Sequence, residues 1–188
     1  MEPEVHRHVY TMQDRVDLIA KRIDASITKP QKSKDGKQYM LRDLALEIVR
    51  ETPQHGKESE DRVISNIFWW VKNNVEYRQD PADYDMYMTA GRTIAAGGSD
   101  CDDHTILNAA LLSSLGFRTG AKIVSPDNQN WHIYTVVGVY PFYKPSCIIP
   151  MDTTQPESFP GWEPPPVQRQ YGYLVDFEFD RAKRLRKI

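Results

Sequence analysis

The stretch GGSDCDDHTILNAALLSSLG, residues 97–116, decides the fold. A glycine pair leads into a polar residue that can cap a helix, and Cys101 follows at the first helical turn. Beyond it, Ile106, Leu107, Ala109, Ala110, Leu111, Leu112 and Leu115 run nearly all the way round a helical wheel. The spacing predicts a helix over 100–115, closed by Gly116 as the residue after its C-cap. A helix apolar on most sides sits in the middle of a fold. At its start, unpaired backbone N–H groups carry partial positive charge. That environment lowers a thiol's pKa and offers donors to an oxyanion. Asp100, Asp102 and Asp103 work against it, because nearby negative charge disfavours a thiolate.

On the N-terminal side the periodicity is helical. Helices are expected over 13–27, 39–51 and 59–74, the last capped by Ser59, and a short one over 86–96 ended by Gly97-Gly98. Residues 29–36 read as a polar break, 52–57 as a loop and 75–85 as an irregular connection. After Gly116 the pattern becomes strand-like, with strands expected over 117–124, 131–140, 146–151 and 171–179, and a Pro-rich irregular stretch over 156–167. Helices first and strands later is the pattern of an α+β fold with an antiparallel sheet. The division expected is a helical arm over 1–57, a domain over 58–180 and a basic tail over 181–188, read as a solvated end.

A chain of 188 residues fits one core. The formal net charge of -2 gives no electrostatic case for nucleic acid or an anionic membrane as partner. No stretch has the roughly 20 apolar residues of a membrane span. The first ten residues lack the apolar region of a secretory signal, so a cytoplasmic location at synthesis is expected. Cys101 and Cys147 are the two cysteines, too few for a disulfide framework. Cys147 has an apolar flank and reads as core.

Two later segments complete a constellation with Cys101. His132 lies in Asn130-Trp-His-Ile-Tyr134, on a strand that would mount the imidazole rigidly. Asp152 ends the strand of Ile148-Ile-Pro-Met-Asp-Thr-Thr154, which could pair beside it and orient one ring nitrogen. Nucleophile, base and orienter form the logic of a triad. Gln79 and Asp102 are candidates for substrate or oxyanion contact, and Trp131 for lining the cleft, whereas Trp69 and Trp70 read as core. His104 is a rival base without a carboxylate at a matching offset. Cys101, Asp103 and His104 could be read as metal ligands, but no Cys-x-x-Cys accompanies them and no metal is expected.

Ser99-Asp-Cys-Asp-Asp-His104 before an Ala/Leu-rich helix and Leu-Gly-Phe117, then Trp-His-Ile-Tyr134 and Met-Asp-Thr-Thr154, resembles the transglutaminase-like superfamily. The match runs from about Ile67 to Gln155. It departs from the family in Ser99, where glycine is usual, and in Cys147-Ile-Ile-Pro150, where a tryptophan commonly stands. The resemblance implies a papain-like fold, a triad of Cys101, His132 and Asp152, and acyl transfer through a thioester, with hydrolysis of a peptide or amide bond first and amide crosslinking second. No cofactor is required, and the calcium used by some relatives has no clear loop here. The short helical-armed form is similar to bacteriophage and prophage versions. That similarity implies cell-wall peptide or a virion protein as substrate and phage structural proteins as partners. The alternative is a particle-assembly protein that retains the fold with little turnover.

Overall fold

The computed structural model describes residues 4–7, 11–50, 60–81, 84–138, 148–177 and 185–187. Ser59 and Cys147, and the basic run before Leu185, lie outside them. The central helix is α5, Cys101–Ser114, and from Asp103 to Leu112 every side chain on it is buried. The apolar residues from Ile106 on account for most of that burial, and Asp103, His104 and Asn108 are buried with side-chain hydrogen bonds to Met88 and Thr153. Gly116 adopts a φ of 92°, the left-handed conformation that ends a helix where a side chain would be strained.

One face of α5 lies on a five-stranded sheet of β7 (Arg118–Ser125), β8 (His132–Gly138), β9 (Ile148–Met151), β10 (Tyr171–Asp176) and β11 (Leu185–Lys187). The spatial order is β11-β10-β7-β8-β9, and every pairing is antiparallel. The other faces of α5 meet helices α1 (Met12–Thr28), α2 (Leu41–Arg50), α3 (Glu60–Asn74) and α4 (Ala90–Ala96). Val16, Ile19 and Ile23 of α1 and Leu41, Ala45 and Ile48 of α2 share one apolar cluster with Leu107 and Leu111 of α5. The α+β expectation is met.

Five local readings change. The 29–36 break contains a strand of a hairpin, β2 (Gln31–Lys32) against β3 (Gln38–Tyr39). The irregular segment before α4 holds β4 (Glu76–Tyr77), paired parallel to β6 (Gly98–Ser99). It also holds β5 (Tyr84–Tyr87), paired antiparallel to β1 (Glu4–Arg7). The helix expected over 86–96 begins only at Ala90. The carboxylates of Asp80 and Asp103 accept the N–H groups of Met86 and Met88, and Ser26 Oγ accepts that of Ala90, so side chains satisfy the backbone without a helix. Leu185–Lys187, expected in a solvated tail, pairs with Tyr173–Val175. Trp69 is 43% exposed rather than core, because α3 turns Ile64, Ile67, Phe68 and Val71 inward.

Candidate active site

Asp100 is the N-cap of α5. Its Oδ1 accepts the N–H groups of Asp102 and Asp103 at 3.1 and 3.3 Å. The N–H of Cys101, at the first helical position, lies outside this capping pair. Cys101 faces a cleft of about 300 Å³ that is also lined by His132, Trp131, Gln79, Asp102 and Tyr77. The opposite wall comes from the N-terminal helix, through Met12, Arg15, Val16 and Ile19 of α1. Arg15 pairs with Asp85 across 3.0 Å at this wall.

Strand pairing brings the later residues here. Asp127 holds the turn before β8, its Oδ1 accepting from the N–H groups of Gln129 and Asn130 at 2.9 and 2.8 Å. His132 opens β8, and β9 pairs antiparallel to β8 with Met151 opposite Thr135. Asp152, one residue beyond β9, is fully buried behind the imidazole. His132 Nε2 donates to Asp152 Oδ2 at 2.8 Å. Asp152 Oδ1 accepts from Thr154 through its N–H at 3.1 Å and its hydroxyl at 2.7 Å. Burial pushes this carboxyl up, but the hydrogen bond and charge of His132 and the bonds from Thr154 outweigh it and hold the pKa below the usual value. With Nε2 committed to Asp152, Nδ1 is the nitrogen left for proton exchange.

The thiol goes against the helix-start expectation. Burial, and then the charges of Asp102 and Asp100, push Cys101 well above the ordinary thiol range, against a backbone hydrogen bond at Ile133 that pulls it down. Desolvation and the Asp102, Asp100 and Asp152 carboxylates act against the partial charge of the helix end. Asp102 is raised to about 6, by burial first and then by Asp85 and Asp80, with Arg15 and His132 opposing. An ionised carboxylate has no hydrogen to donate, so Asp102 suits a cationic or N–H group of a substrate better than an oxyanion.

His104, the rival base, points away from this chemistry. It is 1% exposed, and burial lowers its pKa to about 4, so it stays neutral. Its Nδ1 is 2.8 Å from the Thr153 hydroxyl. Among the described residues no three His, Cys, Asp or Glu side chains are grouped to hold a metal ion. Sequence reasoning missed Arg15, Asp80 and Asp85 as parts of the cleft. All three sit in segments whose local pattern signals only a solvated helix face or a connection.

Among solved structures, Legionella pneumophila LapG aligns at 16% identity over 82% of this chain and 93% of its own, with a TM-score of 0.53. Its calcium-bound form aligns at 13% identity over 86% of this chain and 88% of its own, with a TM-score of 0.52. A Cytophaga hutchinsonii protein assigned as a cysteine protease aligns at 20% identity over 61% of this chain, with a TM-score of 0.46, and this chain spans 37% of its length. At these identities the likeness to the two LapG structures is one of fold alone, helices packed with an antiparallel sheet in an α+β arrangement. No family model matches the sequence, and no curated protein matches it.

Proposed function

We propose that the chain breaks a peptide or amide bond by acyl transfer to Cys101, with His132 as general base and Asp152 as the acceptor that holds the imidazole. The observation that carries this reading is the 2.8 Å bond between His132 and a fully buried Asp152, directly behind a cleft that Cys101 and His132 both line. Because the thiol is held protonated, attack and proton transfer go together. Cys101 Sγ bonds to the carbonyl carbon as its proton passes to His132 Nδ1. The oxyanion is met by the Cys101 N–H, with Gln79 as second donor; the β4–β6 bridge sets the chain leading to Gln79 beside Ser99, through the Arg78 N–H to Ser99 carbonyl bond of 2.8 Å. The imidazolium returns the proton to the leaving nitrogen, the C–N bond breaks, and a thioester remains. Water then loses a proton to His132, attacks the thioester, and frees the acid and the thiol. An amine in place of water would give crosslinking.

The calcium of the LapG complex finds no grouped ligand set among the described residues, and no step here passes through a metal. A phage particle, with wall peptide or a virion protein as substrate, is the context that the sequence resemblance supports.

The test is digestion of purified peptidoglycan and of denatured protein, with products read by mass spectrometry. Cys101→Ala should release nothing, and Asp152→Ala should slow release about 10²- to 10⁴-fold. Identical products from wild type and Cys101→Ala would remove the reading. One observation favours a second reading, a particle component with little turnover: the thiol is pushed up rather than down. No acyl-enzyme with any substrate, despite correct folding, would select it.

A further inference from the structure

The residue after Asp152 is a buried threonine whose hydroxyl is bonded to α5. Thr153 is 5% exposed and turns its side chain away from the cleft, onto α5. There its Oγ1 accepts from Asn108 Nδ2 at 2.9 Å, and it lies 2.8 Å from His104 Nδ1. A hydroxyl has one hydrogen. The Asn108 amide donates to it, and its own hydrogen is free to go to Nδ1 of His104. With Nδ1 engaged by the Thr153 hydroxyl, His104 is a ring that burial keeps uncharged. The Glu76 backbone favours a proton on that ring, although Nε2 has no partner in full hydrogen-bond geometry. His104 and Asn108 are one and two turns along the same helix from Cys101. The pair of bonds thus ties the residue next to Asp152 to the helix that presents the thiol. On its other side Asp152 is held through Oδ1 by Thr154, which leaves Oδ2 for His132.

We propose that Thr153, seated between His104 and Asn108, is a positioning residue that sets the orientation of Asp152 and, through it, the tautomer of His132. It rests on the triad reading above. None of the three touches the cleft, so the effect is on geometry and not on substrate contact.

The test uses the full-length protein with ¹⁵N-labelled histidine, and reads the tautomer of His132 without substrate. Wild type should show a single Nε2–H form. Thr153→Val, which keeps the shape and removes the hydroxyl, should give a mixture with the Nδ1–H form, and Thr153→Ser should restore the wild-type signal. Where a substrate is turned over, Thr153→Val should lower kcat about 10- to 100-fold with KM unchanged. Asn108→Ala should shift the tautomer in the same direction and serves if Thr153→Val does not fold. A pure Nε2–H form in folded Thr153→Val or Asn108→Ala, or no restoration by Thr153→Ser, overturns the proposal. A tautomer shift in a protein with no turnover on any substrate upholds Thr153 as positioning residue and removes the catalytic reading instead.

Discussion

At the scale of single residues, the chemistry turns on a competition around one sulfur. A helix start favours a thiolate by a partial charge that fades within a turn. Cys101 has that advantage, but it shares the site with Asp100 and Asp102, and burial opposes any charge there. Ordinary thiols titrate near roughly 8.5. Alkylation of Cys101 by iodoacetamide is accordingly expected to rise only above that range. Asp102→Asn removes the largest of the opposing charges and should move the alkylation profile to lower pH. An Asp102→Asn profile that coincides with wild type would show that Asp102 does not face the sulfur electrostatically.

At the scale of elements, the segment that follows Asp152 is held by a residue from another part of the chain. Lys72, on the last turn of α3, donates to the carbonyls of Gln155, Pro156 and Ser158 at 2.8, 3.0 and 2.6 Å, and lies 2.9 Å from the Ser158 hydroxyl. An ammonium has three hydrogens, so at least one of these bonds is shared. No helix or strand satisfies these carbonyls; the Gln155 carbonyl also accepts the N–H and hydroxyl of Ser158, and Lys72 gathers all three. Lys72→Met keeps the stem and removes the donors. It should cost about 1–3 kcal/mol in urea unfolding, the usual cost of losing charge-assisted bonds. The close pairing of β7 and β10 has a similar local cause. A Cβ on Gly120 would stand 2.2 Å from the Val175 carbonyl oxygen, so the two backbones approach as they do only because the side chain is absent.

At the scale of the whole molecule, the cleft wall brings together carboxylates from separate segments, Asp80, Asp85, Asp100 and Asp102, with Arg15 of α1 among them. Folding collects charge that the unfolded chain keeps apart. Asp102 therefore has a folded pKa of about 6 against an ordinary value of 3.8. The sign follows from linkage. A raised carboxyl contributes stability that is full below its unfolded value and is lost as pH rises through about 6. The difference in Tm between wild type and Asp102→Asn should thus grow less favourable to wild type between pH 4.5 and 7.5. A difference that is flat across that window would contradict a buried, like-charged Asp102.

Much of this was legible in the sequence, for a physical reason. Periodicity and capping are local, so the mostly apolar run of 106–115, the left-handed Gly116 and the switch to strand spacing after it could be read directly, and the motif order placed Cys101, His132 and Asp152 as candidates. What only the tertiary structure decided depends on which distant elements meet. Asp80 and Arg15 enter the cleft because α1 and the β4–β5 connection pack beside α5. Thr153 faces His104 because β9 lies where it does. The thiol is raised because enclosure removes water from a group that the local sequence shows only beside a helix end. Desolvation belongs to no residue by itself, and no spacing along the chain records it.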